Sequence, residues 1–247
     1  MFPSVFLAKV GKLSNSCSMY KDCFDLLTRK YGYVILPANQ TDFSNLIFKL
    51  QKFLEIIDSE IGNARIKRIT KDEFFSKTGG RLRSVNTFAQ HLGDLLSLWN
   101  NGKEFFWSLV SLDYSLARKK MAKLVIEKTG EFSRICEGHS VEFSNDEENL
   151  SDGLYILIKD CRTKGAIKHS ANDADLLILA DCFIFKNKRF LQGFMYLITD
   201  DGELHGTTAE IIEHPDLVFP DLKSTDRFVG FEPLRPKRFL NNFKPKE

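Results

Sequence analysis

The chain has 247 residues, 43% of them hydrophobic, which is enough to bury a core and argues against global disorder. Its formal net charge of +2 does not by itself indicate a nucleic-acid-binding protein, and five cysteines without a CxxC pair exclude a zinc knuckle. No apolar run approaches the roughly 20 residues of a membrane span and no signal peptide is evident, so a cytoplasmic location without membrane contact is expected.

The amino-terminal part of the chain predicts alternating strands and helices. The expected order is strand, helix, strand, helix, over about Val5–Ala8, Ser18–Lys30, Tyr33–Leu36 and Phe43–Ser59. Pro37 is expected to end the second strand, and Thr41 or Asp42 is expected to cap the second helix.

The middle of the chain is basic and less regular. Ile61–Arg83 carries seven Lys and Arg against two acidic residues, and Gly79-Gly80 within it predicts a turn or flexible loop. Apolar residues at helical spacing then predict two helices, over about Val85–Trp99 and Phe105–Ile126. The polar segment Ser144–Ser151 predicts a loop. Leu154–Ile158 fits a strand or the middle of a helix, and its periodicity leaves both open.

The last third has the clearest pattern. Asn172 or Asp173 caps a predicted helix that runs to about Phe185. A buried strand, a short helix and a last strand are expected to follow, over Met195–Ile198, about Thr207–Glu213 and Leu217–Phe219. This alternation favours an α/β fold with a mostly parallel sheet.

Two acidic pairs lie in this last third. Asp173 and Asp175 open the predicted helix, and Asp200 and Asp201 follow the predicted strand at its carboxyl end. Ligands of open α/β sheets collect at that edge, and clustered carboxylates suit Mg²⁺ or Mn²⁺. The same residues are also ordinary helix-capping and turn residues, so a purely structural role stays open.

The stretch that contains both pairs resembles the second half of a PIN domain, a family of metal-dependent nucleases. That family has an acidic residue opening a helix of the form D-x-L-I-L-A, then a strand, then T-x-D. Here the match runs Asp175-Leu176-Leu177-Ile178-Leu179-Ala180, then Met195–Ile198, then Thr199-Asp200-Asp201. The resemblance implies that Asp175 and Asp201 bind the metal and that Asp173 and Asp200 assist. It also implies a three-layer α/β sandwich with a mostly parallel central sheet.

The amino-terminal half resembles the family less closely. Ser4-Val5-Phe6-Leu7 resembles the end of the first family motif, which places Phe2 where the family has an Asp. Pro37 is in place, and Asp42 falls where the family has a Glu. The resemblance thus implies a single PIN-like domain over residues 1–247, with residues 61–150 as a helical and basic insertion.

The function implied by this resemblance is an endoribonuclease that depends on Mg²⁺ or Mn²⁺. Its catalytic residues would be Asp175, Asp201 and Asp42, and the residues that bind the RNA backbone would be Lys67, Arg68, Arg81 and Arg83. Phe2 motivates an alternative, a catalytically degenerate PIN-like protein that binds nucleic acid or a partner protein without cleavage. The oligomeric state stays open, with a dimer as one option.

Overall fold

A computed structural model describes residues 18–190, 192–219 and 230–243 of the chain. Most of these residues are helical, and the strands among them form one two-stranded sheet. In chain order the helices are α1 (Ser18–Leu26), α2 (Pro37–Lys67), α3 (Lys71–Arg83), α4 (Leu92–Val110), α5 (Tyr114–Cys136), α6 (Asn145–Thr163), α7 (Asp173–Lys188), α8 (Gly202–Glu213) and α9 (Pro236–Phe243). Among the helices that the structure describes, none combines the length and apolarity needed to cross a lipid bilayer.

The sheet consists of β1 (Met195–Ile198) and β2 (Phe231–Leu234), which pair in parallel with Met195 opposite Phe231. Strand β1 has the bounds that the sequence predicts. Strand β2 was not predicted, because Pro233 within it is unfavourable for a strand. The expected last strand at Leu217–Phe219 is wrong, since a 3₁₀ turn occupies Pro215–Leu217. The fold is therefore rich in α-helix, with a small parallel sheet.

The described residues divide into two compact units. The first unit takes in those up to Asp42 and those from Ile135 onward, and the second unit spans Phe43–Arg134. Each unit buries its own cluster of apolar side chains. In the sequence, the second unit is therefore inserted between the two segments that form the first unit.

Helix α7 is the centre of the core in the first unit. Every residue from Ile178 to Phe183 is buried, and successive residues point about 100° apart around a helix, so α7 is covered on all sides. Asn172 caps it by accepting a hydrogen bond from the Asp175 amide, as the sequence predicts.

Helix α2 begins at Pro37, earlier than predicted. Proline suits the first helical position because the amide that it lacks would have no partner inside the helix. The strand expected at Tyr33–Leu36 is wrong, since only a single bridge, Ile35 to Ser140, forms there. The strand expected at Val5–Ala8 and the position of Phe2 lie outside the described residues.

The turn or flexible loop expected at Gly79-Gly80 is wrong, and most of the basic segment Ile61–Arg83 is helical. Helix α2 runs on to Lys67, and α3 begins after Thr70, whose side chain accepts a hydrogen bond from the Glu73 amide. Gly79 and Gly80 lie inside α3. A Cβ on Gly79 would stand 3.4 Å from Nε1 of Trp99, so this glycine packs closely against that side chain.

The expectation of a loop at Ser144–Ser151 is also wrong. Ser144 and Glu147 form a capping box that begins α6, in which each side chain bonds the other residue's amide. Leu154–Ile158, which the sequence left open, is helical. The break between α4 and α5 falls near Asp113, whose Oδ1 accepts hydrogen bonds from the next turn. It therefore lies later in the chain than predicted.

Glu147 also joins α6 to the end of α7. Its oxygens accept hydrogen bonds from Nε and Nη2 of Arg189, at 2.7 and 2.5 Å. The Arg189 bond, followed by the Ser144 amide, lowers the pKa of Glu147 to about 2. A carboxyl group whose pKa is lowered by folding stabilises the folded state above its unfolded pKa, and this contribution is lost as the pH falls toward 2.

We expect Glu147→Gln to lower the free energy of unfolding at pH 7 by about 1.5–3 kcal/mol, the range for a hydrogen bond to a charged group. The loss of stability between pH 5 and pH 2 should be smaller in this variant than in the wild type. Urea denaturation across this pH range measures both effects. Glu148→Gln, at an exposed neighbouring position, is the control and should change stability by under about 0.5 kcal/mol. Parallel pH profiles for wild type and Glu147→Gln would contradict the assignment.

Candidate functional site

The carboxyl end of β1 holds the second acidic pair. Asp201 is the N-cap of α8, and its Oδ1 accepts hydrogen bonds from the amides of Glu203 and Leu204 at 2.8 and 2.9 Å. Its own amide donates to Oγ1 of the buried Thr199 at 3.0 Å. The structure thus gives Asp201 a helix-capping role.

Asp200 lies beside a cation from the neighbouring strand. Arg235 directly follows β2, and parallel pairing brings it to the same sheet edge as Asp200. Nη1 of Arg235 donates to the Asp200 carbonyl oxygen at 2.8 Å and stands 3.9 Å from the Asp200 carboxylate. The sheet edge therefore carries a guanidinium as well as carboxylates.

Both aspartates of the first acidic pair, Asp173 and Asp175, accept hydrogen bonds from neighbouring side chains. Asp173 accepts hydrogen bonds from Lys159 at 2.6 Å and from Arg162 at 2.8 Å, both on α6. These two cations, Lys159 first, lower the pKa of the Asp173 carboxyl. Oδ2 of Asp175 accepts a hydrogen bond at 2.6 Å from Asn172, the residue that caps α7. Asp173 thus helps to hold α6 against the start of α7.

Glu203, which was not singled out from the sequence, joins the first turn of α8 to the segment before α7. Its Oε2 accepts hydrogen bonds from the amide and hydroxyl of Ser170, at 2.7 and 3.2 Å. The same oxygen lies 3.7 Å from Nδ1 of His169. These Ser170 bonds, the amide first, lower the pKa of Glu203. The segment just before α7 and the start of α8 therefore lie side by side. The sequence pattern that could have indicated this contact is Asp201-x-Glu203.

His205 lies one turn into α8. Burial lowers its pKa, and the nearby cations Arg235 and Arg238 lower it further. The environment of this histidine therefore favours the neutral imidazole.

Asp42 lies in the second turn of α2 and is buried. The carboxylate at the start of α2 is another one, Asp181 of α7, which is only 3% exposed. Its Oδ2 accepts a hydrogen bond from the Ala38 amide at 2.7 Å, and its Oδ1 accepts one from Ser151 at 2.5 Å. Burial raises the pKa of Asp181, and these hydrogen bonds oppose the rise. The sequence feature that could have indicated this buried carboxylate is that Asp181 is the one acidic residue within the apolar run Ile178–Phe183 of α7.

Three of the predicted ligands for Mg²⁺ or Mn²⁺, Asp173, Asp175 and Asp201, already accept hydrogen bonds. Among residues 18–190, 192–219 and 230–243, no group of three or more His, Cys, Asp and Glu side chains could hold a metal ion. Asp173 is paired with two cations, and one oxygen of Asp201 caps a helix. Metal-dependent cleavage by Asp175, Asp201 and Asp42 stays a prediction.

The predicted RNA-binding cations all belong to the second unit, Phe43–Arg134. Lys67 ends α2 and Arg68 follows it with a positive φ of 50°, and both are exposed. Arg83, at the end of α3, is exposed as well. Arg81 instead donates a 2.5 Å hydrogen bond to the buried Glu60, so part of its charge is compensated.

A further cationic surface was missed from the sequence. Helix α5 begins at Tyr114, and its first turns expose four cations, Arg118, Lys119, Lys120 and Lys123. The Tyr114 ring lies near two guanidiniums, with the Arg65 carbon 5.8 Å and the Arg118 carbon 5.5 Å from the ring centroid. The signal was the run Arg118-Lys119-Lys120 one turn after an aromatic residue.

The first unit also contains a cavity of about 570 Å³ with aromatic walls. Its lining includes Tyr31, Tyr196, Phe239 and Phe243, whose rings contact one another at centroid distances of 5.0 to 6.0 Å. None of the predicted site residues lines this cavity.

Comparison with protein-family models, curated proteins and solved structures finds no match for the chain.

We expect Asp181→Ala to lower the free energy of unfolding by about 1–3 kcal/mol, because it leaves the buried Ala38 amide and Ser151 hydroxyl without their acceptor. Asp181→Asn keeps an acceptor for the Ala38 amide, and its amide nitrogen can donate to the Ser151 oxygen, so it should lose less. Asp201→Ala should cost about 1 kcal/mol as the loss of an N-cap. Urea denaturation at pH 7 measures all three. Unchanged stability in Asp181→Ala would show that Asp181 does not hold the start of α2.

Proposed function

We propose that the protein binds RNA through the second unit and that the carboxylates of the first unit stabilise a PIN-like fold. The observation that carries the proposal is the distribution of charge. Phe43–Arg134 contains 16 Lys and Arg against 10 Asp and Glu, a formal net charge of +6. The rest of the chain has 19 against 23, a net charge of −4. A locally positive unit attracts a phosphate backbone even when the whole chain is almost neutral.

The positions of the cations support this binding. Exposed Lys and Arg follow one another on the first turns of α5 and at the end of α2. Surface ion pairs such as Lys123 with Glu127, 3.6 Å apart, are weak and can exchange for phosphate contacts. The surface is thus suited to a polyanion.

The PIN-like part of the proposal concerns the first unit. We propose that it is a three-layer sandwich with a mostly parallel central sheet. The parallel pairing of β1 with β2 supports this, and so does the turn Thr199-Asp200-Asp201 between β1 and α8. Because capping bonds and ion pairs already engage Asp201 and Asp173, binding without cleavage accounts for their surroundings best.

A second candidate is an endoribonuclease that depends on Mg²⁺ or Mn²⁺. The observation that favours it is the pair of hydrogen bonds from Ser170 to Glu203, which join the segment just before α7 to the first turn of α8. Asp175 and Asp201 lie at the starts of these two helices, and the carboxyl ends of parallel strands are where α/β folds bind ligands.

The first test measures RNA binding by fluorescence anisotropy as a function of salt. The variant Lys119→Ala/Lys120→Ala/Lys123→Ala should bind single-stranded RNA about tenfold to 100-fold more weakly near 0.1 M salt, and its log–log salt slope should be smaller by about 2. The control Lys164→Ala/Lys188→Ala/Lys237→Ala removes the same charge from exposed positions of the first unit. Equal losses in the two variants, or no binding by the wild type, would refute the proposal.

The second test incubates RNA with the protein and Mn²⁺ and compares wild type with Asp201→Asn and Asp175→Asn. Asparagine is as good an N-cap as aspartate, so Asp201→Asn should keep α8 intact. The proposal predicts no Mn²⁺-dependent cleavage by any of the three proteins. Cleavage by the wild type that both variants lose, with RNA binding retained, would establish the nuclease instead.

A further inference from the structure

Tyr114 is the aromatic residue around which the cations of the second unit gather. It is the first residue of α5, and its side chain is largely exposed, at 55%. Arg118 is one turn further along the same helix, and Arg65 approaches from α2, so two guanidiniums lie within 6 Å of one ring. Tyrosine and arginine planes of this kind are the surfaces on which unpaired bases stack in nucleic-acid-binding proteins.

Arg65 is held in place before any ligand arrives. Its Nε donates to the Val110 carbonyl at 3.1 Å, and its Nη2 donates to the Leu109 carbonyl. Both carbonyls belong to the last turn of α4, where the helix dipole favours a positive charge. The guanidinium plane therefore needs little further ordering, which reduces the entropy lost on binding.

Exposed apolar and cationic side chains lie near Tyr114 and Arg65 along the chain, beside Asp113, whose Oδ1 caps the start of α5. Ile66 is 83% exposed and Leu116 is 44% exposed. The exposed cations Lys67, Arg68 and Lys119 adjoin the same two segments. Base faces need apolar and aromatic surface, whereas phosphates need cations, and both are available here. A duplex hides its base faces, so it can use only the cations.

We infer that Tyr114, Arg65 and Arg118 form a stacking site for unpaired bases, which makes the second unit selective for single-stranded over double-stranded RNA. This inference rests on the proposed RNA binding and specifies its substrate. The alternative occupant, an acidic peptide, would use the cations but would not require an aromatic ring.

The experiment compares three ligands of equal length by fluorescence anisotropy: a single strand of mixed sequence, a duplex and an abasic single strand. Tyr114→Leu should weaken binding of the normal single strand about five- to 100-fold, the effect of losing one stacked base. Tyr114→Phe should bind like the wild type, because it keeps the ring. The duplex and the abasic strand should bind wild type and Tyr114→Leu equally.

The matched control is Tyr155→Leu in the first unit, where Lys159 lies 5.4 Å from the tyrosine ring centroid. It should leave all three affinities unchanged. Tyr114→Leu could bind the normal strand as the wild type does, while Lys119→Ala/Lys120→Ala/Lys123→Ala still binds it weakly. The stacking site would then be refuted, and the proposed RNA binding would stand. If an acidic peptide binds more tightly than any RNA, the substrate is wrong. If the wild type binds none of the RNAs, the proposed function itself fails.

Discussion

The buried carboxylate of Asp181 is the interaction on which the first unit depends. A carboxylate that folding removes from water must find hydrogen-bond donors, or it destabilises the protein by several kcal/mol. Here α2 supplies the Ala38 amide and α6 supplies the Ser151 hydroxyl, so one side chain of α7 ties three helices together. The bond also satisfies an amide at the start of α2 that has no partner inside the helix. The start of α2 and the protonation of Asp181 are therefore coupled.

The acidic residues at the sheet edge illustrate why capping sites and metal sites look alike in a sequence. Both place Asp at the start of a helix or directly after a strand, since both exploit exposed backbone amides and the helix dipole. The difference is in the partners. Asp201 faces backbone amides, and Asp173 faces Lys159 and Arg162. These are the contacts of residues that join helices, and no local pattern around Asp173 indicates that α6 brings two cations to it.

The parts of the fold that were predicted correctly are those that local chemistry determines. The Asn172 cap, helix α7 and strand β1 follow from short-range patterns, and the structure confirms them. Other parts depend on distant residues. The start of α2 depends on Asp181, and Gly79 is helical where it packs against Trp99. Strand β2 was missed because a proline lies within it and its partner is far away in the sequence. Of the candidate site, the sequence indicated the helix starts but not Glu203, which joins the first turn of α8 to the segment before α7.

The overall composition does not indicate the basic surface, because its charges depend on how distant parts of the chain are grouped in the fold. A net charge of +2 is the sum of +6 in the second unit and −4 in the rest of the chain, and the division into units shows the full extent of the positive part. Within that unit, the cations also differ in what they contact. Arg81 is paired with a buried glutamate, whereas Arg65 and Arg118 lie over an exposed ring. The charge of a guanidinium that pairs with a buried acid is already compensated. A guanidinium on an aromatic face still has N–H donors that can bind phosphate. Tyr114, more than the number of lysines, therefore defines the binding site that we propose for an unpaired strand.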